Sequence, residues 1–313
     1  MDPAQFGYST LPMQHAPYET ISPATLKDSN EGKVALITGA GQGIGAAIAE
    51  ALAKSGANVA ILDLNTDKLV KTKEACLQHG GKVADFACDV TNEHKIKEVI
   101  DAVEKQLGPI DVLVNNAGIF DQRPFIMSTF DGFWRQIEVN FKAPLMLIHQ
   151  MLPRMRERGG GCIINIASRS GTVDVPMTLG YVSSKAALIR ATHTLQKEME
   201  LDGLDPAIHM YALHPGGVRS AMGGAGVADD VRAKYGRDIT DEEFFKHLFK
   251  DGPSLCGQTC AWLASGRGKE LRGLFLDCRQ DVAKLLEIGR KTLLKENRNT
   301  LTVNFIDGYC NEP

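Results

Sequence analysis

From Lys33 onward the chain alternates short, almost unbroken apolar runs with longer stretches of mixed polarity. Residues 34–37, 59–62, 83–87, 110–114, 162–167, 207–213 and 274–276 read as strands, bounded by turn-forming residues. A strand that is apolar at successive rather than alternate positions must be covered on both faces. Between the runs, residues 45–55, 67–79, 93–107 and 185–201 have helical length and composition. Strand and helix in alternation predict βαβ units with right-handed crossovers. The expected fold class is therefore α/β, a single domain built on a doubly wound seven-stranded parallel sheet spanning about residues 32–280.

Three segments leave this rhythm. Residues 1–31 carry Pro3, Pro12, Pro17 and Pro23 without apolar periodicity and are expected to form an extended or disordered arm that buries little surface. Residues 221–255, rich in Gly, Ala, Asp and Lys, fall between the sixth and seventh strands and read as a mobile helical flap over a pocket. Residues 281–313 read as a polar helix through Lys295 followed by a short extended tail.

Composition narrows the function classes. Hydrophobic residues make up 43% and charged residues 23% of 313, as in globular proteins. A net charge of −3 provides no basic field for a nucleic acid. No apolar run approaches the ~18 residues that span a bilayer. The first thirty residues hold one Lys, no Arg and no continuous apolar core, so no targeting signal is expected. Seven cysteines, an odd number without a CxxC pair, fit reduced thiols in the cytoplasm. Cys256 and Cys260 stand four apart, but no His or further Cys follows at ligand spacing, and no metal is expected.

The first strand runs into Thr38, Gly39, Ala40, Gly41, Gln42, Gly43, Ile44 and Gly45, where a helix opens. Glycines there let backbone N–H groups approach a pyrophosphate at a helix N-terminus, although a plain tight turn uses the same residues. Eighteen residues beyond Gly45 the second strand ends at Asp63, where an acid would meet the ribose hydroxyls of a dinucleotide in a Rossmann-like sheet. A carboxylate there repels a 2′-phosphate, and Gln42, Leu64 and Asn65 supply no compensating charge, so NAD is expected and NADP is the less favoured coenzyme. Asp63 as a solvated strand end, and Asp89 before Val90 as either an adenine contact or a helix cap, remain open alternatives.

Tyr181 and Lys185 stand four apart, on one face if the stretch is helical. A phenol with a pKa of about 10 is ~0.1% ionised at pH 7. Lowering that pKa by about three units takes roughly 4 kcal/mol, more than one exposed lysine supplies. Ser168, at the end of the fifth strand, is placed to donate to the same substrate oxygen, because ligands in open α/β sheets bind off the strand ends.

With these residues in order, together with Asn115, Asn116, Ala117 and Gly118, Asn140, and Pro215 with Gly216, the sequence resembles a short-chain dehydrogenase/reductase over about residues 32–280. It is also similar to fungal members that carry an N-terminal arm and a C-terminal extension. The resemblance implies that Tyr181 is the general acid/base, that Ser168 polarises the substrate oxygen, and that Lys185 binds the nicotinamide ribose and lowers the Tyr181 pKa. It implies that Asn140 holds a relay water, that Asn115, Asn116, Ala117 and Gly118 support the central strand and line the adenine-ribose side, and that Pro215, Gly216 and Val218 flank the nicotinamide. Ser220 stands where Thr is common and would bond the carboxamide. Arg169 either binds an acidic or carbonyl-bearing substrate or turns to solvent. Ile119, Phe120, Thr172, Val173, Val175, Pro176, Met177 and Met222 would surround a lipophilic alcohol or ketone. A homodimer or homotetramer is implied by the resemblance alone. A dehydratase or epimerase on the same fold, and a nucleotide-sensing protein without chemistry, remain the competing readings.

Overall fold

A computed structural model describes residues 11–219, 228–235 and 249–302. Its seven strands are β1 (Val34–Thr38), β2 (Asn58–Asp63), β3 (Val83–Ala87), β4 (Val112–Asn115), β5 (Gly161–Ile166), β6 (Ile208–His214) and β7 (Phe275–Asp277). All pair in parallel in the order β3-β2-β1-β4-β5-β6-β7. Every strand expected from the apolar runs is present, with bounds shifted by two residues at most. The order reverses between β1 and β4, which opens a crevice beyond their C-terminal ends.

Alternation along the strands divides the interior into two cores. On β1, Ala35 and Ile37 face one core while Val34 and Leu36 face the other, and all four are buried. The second core is covered by α3 (Glu93–Leu107), whose Ile96, Val99, Ile100 and Val103 form one apolar stripe. Asn92 caps this helix by accepting from Lys95 N at 3.0 Å. A long helical run joins it there, built of α4 (Phe130–Ile137), a π-helical segment (Glu138–Lys142) and α5 (Ala143–Arg158). Helix α6 (Leu179–Leu201) begins six residues before the expected start and thereby includes Tyr181.

The first core is covered by α1 (Gly43–Lys54), α2 (Val70–Leu77) and α8 (Pro253–Ala264), with a short α7 (Asp229–Tyr235) between β6 and α8. Helix α8 corrects the expected extent of the flap: it is buried from Leu255 to Ala264 and packs on α1. Pro253 opens it, and its all-round apolar surface demands burial rather than motion. Most of the remaining expected flap lies outside the described residues.

The N-terminal flank also departs from expectation. Within residues 11–31, Ile21 and Leu26 are fully buried in the first core, so two isolated apolar residues anchor an arm that lacks periodicity. The C-terminal extension is two helices, α9 (Val282–Ile288) and α10 (Arg290–Lys295), broken at Gly289 with φ +79°. Val282, Leu285 and Leu293 seat them on the same core. Beyond them Asn299 exchanges backbone and side-chain hydrogen bonds with Phe275, covering the edge of β7. Among the described residues no helix is long and apolar enough to cross a membrane.

Candidate active site

The crevice holds a cavity of about 700 Å³. Gly39, Gln42, Gly43, Ile44 and Gly45 line it after β1, Asp63 after β2, Asp89 and Val90 after β3, and Asn116, Ala117 and Gly118 after β4. Tyr181 and Lys185 reach it from α6, and Pro215 from the end of β6. Thus residues scattered over 177 positions, from Gly39 to Pro215, meet in one place because parallel strands all end on the same side.

Thr38 and Asn116 lock the floor of this cavity. Thr38 Oγ1 accepts from both Asn116 N and Ala117 N at 3.0 Å, while Asn116 Nδ2 donates to Thr38 O at 2.9 Å and Gly39 O at 3.0 Å. The glycine turn is pressed against these groups: a Cβ on Gly45 would lie 2.1 Å from Gly39 O and 2.5 Å from Asn116 Nδ2. Helix α1 begins at Gly43 without a side-chain cap, so its positive end opens on the cavity. A cradle closed to side chains and an uncapped helix N-terminus fit a dinucleotide pyrophosphate.

Asp63 accepts from Gly41 N at 3.0 Å and Leu64 N at 2.8 Å, bracing the turn while facing the cavity. Asp89 braces the turn before α3, whose cap is Asn92. Asp89 accepts from the Thr91 backbone N–H and hydroxyl and still lines the cavity. Burial works to raise its pKa, but the bonds from Thr91 and Arg135 outweigh it and hold the carboxyl below its usual range. Two cations missed by sequence reasoning also line this end: Lys68, from the turn after β2, and Arg135, from α4. Arg135 is committed to Asp89 at 3.1 Å and to Thr91 Oγ1 at 2.7 Å.

At the other end Ser168 follows β5 and is nearly buried. Its Oγ accepts from Ser170 N at 3.1 Å, which fixes the hydroxyl at a short helical turn. Burial pushes the Tyr181 phenol above its ordinary pKa, and a hydrogen bond with Ser168 pulls it back. Lys185 lies one helical turn below with Nζ 5.7 Å from the Tyr181 ring centre, donating to Ile166 O at 2.7 Å. Burial lowers the Lys185 pKa to about 8. Phe120 packs its ring at 83° to Tyr181, with centroids 5.1 Å apart.

Asn140 sits in the π-helical segment, its Oδ1 accepting from Ile119 N and its Nδ2 donating to Ile119 O, both at 2.8 Å. Its side chain therefore fixes the strand-end loop that carries Phe120. Asn115, Asn165 and Thr192 form a buried chain of bonds, 2.8 and 2.9 Å long, tying β4 and β5 to α6. No sequence signal distinguishes Asn165 or Thr192 from ordinary core polar residues. Arg169 meets the end of the sheet on β6 and β7. Its backbone N–H donates to His214 Nδ1 at 3.3 Å and its guanidinium stands 3.7 Å from Asp277. Gly216 and Val218 continue from Pro215, with Val218 bridged to Asp251 and Gly216 close against the Asp251 carboxylate, while Ser220 and Met222 lie outside the described residues.

Comparison with known proteins decides the family. A model described as short chain dehydrogenase matches residues 33–230. The chain belongs to the short-chain dehydrogenases. A short chain dehydrogenase of Pseudocercospora fijiensis is 31% identical over 292 residues, covering 92% of this chain and 93% of its own. A crystal structure of a putative short-chain alcohol dehydrogenase from Sinorhizobium meliloti superposes with a TM-score of 0.69 at 27% identity, covering 82% of this chain and 97% of that one. A metagenomic short-chain oxidoreductase in complex with NADP gives a TM-score of 0.61 at 28% identity, covering 76% and 92%. The family model itself ends at residue 230, before Asp251 and helices α8 to α10.

Proposed function

We propose that this short-chain dehydrogenase interconverts a secondary alcohol and a ketone on a small lipophilic substrate, with NAD as coenzyme. The observation that carries the reading is that Tyr181 and Lys185 line one cleft with the Lys185 amine 5.7 Å from the Tyr181 ring centre, beside Ser168 at the end of β5. The glycine cradle and the α1 N-terminus would hold the pyrophosphate, Asp63 the adenosine ribose and Lys185 the nicotinamide ribose. Bound NAD supplies a hydride acceptor in one direction and its reduced form a donor in the other.

In oxidation, Tyr181 takes the hydroxyl proton of the substrate while Ser168 donates to the oxygen that gains negative charge. In reduction Tyr181 returns the proton. Burial opposes phenolate formation, so the charge of Lys185 matters most when Tyr181 is ionised. Phe120 and Ile119 present apolar surface beside Tyr181, which favours a lipophilic substrate. Exposed Phe125, Ile126, Phe130 and Trp134 make an apolar face at the start of α4, which supports assembly into a homodimer or homotetramer. The six described cysteines are buried thiols, as suits a reducing cytoplasm.

The test is Tyr181→Phe. NADH binding is expected to stay within about twofold, because the phenol oxygen is not needed to seat the coenzyme, while turnover falls by about 10³-fold or more. Turnover retained within tenfold, with coenzyme binding intact, refutes the assignment.

A further inference from the structure

The loop after β6 is held by a carboxylate from the segment before α8. Asp251, buried between β6 and α8, meets this loop through both its backbone and its side chain. Its backbone N–H donates to Gly217 O at 2.9 Å, forming a parallel bridge with Val218. Its Oδ2 accepts from Gly217 N at 2.6 Å. Gly216, at φ +83°, lies so close that a Cβ would stand 2.8 Å from Asp251 Oδ2. The same loop begins at Pro215, which lines the cleft.

The other carboxylate oxygen, Oδ1, is engaged by His15 Nδ1 from the N-terminal arm. The placement of His15 is fixed from both sides. Gln14 N donates to Arg279 O at 2.8 Å, and Tyr18 OH donates to Gln280 O at 3.2 Å while accepting from Val282 N at 2.8 Å. Arg279 is committed to Asp277, with bonds of 2.9 and 2.7 Å, and stands 3.9 Å from Asp251. His15 and Gly217 thus supply the close donors to a carboxylate withdrawn from water. A buried carboxylate is held by the donors that satisfy it, and loss of one loosens its hold on the other.

We propose that His15 is a positioning residue for the coenzyme wall, acting through Asp251 to fix the backbone of residues 215–218. The inference rests on the proposed coenzyme site for its functional consequence, but the coupling between arm and loop is independent of it. The arm is then a strap that preorganises the nicotinamide end of the cleft.

The experiment uses the full chain with His15→Ala and His15→Asn, the latter keeping an amide nitrogen where Nδ1 stood. Three quantities are read: amide exchange of Gly217 in the coenzyme-free protein, NADH affinity by fluorescence titration without substrate, and the split of kcat and coenzyme KM. His15→Ala is expected to speed Gly217 exchange about tenfold and weaken NADH binding by a similar factor, as loss of a bond to a charged group does. Coenzyme KM rises accordingly while kcat at saturation changes less than twofold, and His15→Asn restores most of each. Wild-type Gly217 exchange in His15→Ala overturns the proposal even if the melting temperature falls. Faster exchange with unchanged NADH affinity overturns the functional half. If the wild-type chain binds neither NADH nor NADPH, the coenzyme reading fails separately, and Gly217 exchange still decides the coupling.

Discussion

Replacing Thr38 with Val keeps the shape of a fully buried side chain and removes one oxygen. That oxygen accepts two backbone N–H groups, from Asn116 and Ala117, at 3.0 Å each, and it is where β1 is joined to the segment after β4. Each amide left without a partner costs about 1–3 kcal/mol if desolvated. Both lie beside the cavity and are half-buried, so water recovers part of the loss and the sum is expected near 2–3 kcal/mol. The hydroxyl's own donation, to Val114 O at 3.4 Å, is long and adds little. The same two amides set the height of Ala117, which lines the cavity, so NADH affinity is expected to fall together with stability. Urea unfolding of Thr38→Val and Thr38→Ser, each with an NADH titration, separates oxygen from shape. Thr38→Ser retains the acceptor and is expected within about 1 kcal/mol of the parent. If Thr38→Val unfolds at the parental urea concentration, the two bonds do not hold the floor of the cleft and the reasoning is wrong.

Gly45→Ala places a methyl group against Gly39 O, a backbone atom that cannot swing aside. Overpacking of about 1–3 kcal/mol and a severalfold loss of NADH affinity are expected, and parental affinity in a titration would contradict the cradle. Asp63→Ser removes the carboxylate that excludes a 2′-phosphate and exposes the cleft to Lys68. The parent is expected to favour NAD over NADP in kcat/KM, and the variant to narrow that ratio by about tenfold or more; an unchanged ratio would mean that Asp63 only braces Gly41. Burial drives the pKa of His214 down to about 4 and that of His209 to about 3, so both stay neutral in the folded chain while the unfolded chain titrates near 6.5. Between those values the unfolded state binds more protons, so stability falls as pH drops below about 6.5 and His214 alone costs up to about 3 kcal/mol by pH 4. Urea midpoints that stay level from pH 6.5 to 4.5 would refute neutral burial.

Much of the site was legible because its parts are local or strand-terminal. The turn from Thr38 to Gly45 announces itself through glycine spacing, and Tyr181 and Lys185 through a separation of four on a helix. Asp63 follows from the length of one βα unit. Lys68, Arg135 and Asp251 carry no such mark, since each reaches the cleft or its wall from a separate turn, helix or bridge. His15 is harder still, because its partner lies 236 residues away. A proline-rich arm without periodicity looks free to a reader of patterns, yet two buried side chains, Ile21 and Leu26, anchor it.

The amino-acid order alone determined that β-strands with apolar residues on both faces alternate with helices, and that a glycine turn, an acid and a phenol with a lysine follow in that order. These are consequences of periodicity and of chemistry carried within one element. Tertiary packing decided that Arg169 meets Asp277, that Asn140 spends its amide on Ile119, and that the described parts of the arm and of the C-terminal extension close over the same core as the sheet. Such choices depend on donors and acceptors from distant segments competing for the same buried positions, a competition settled only when the chain is folded.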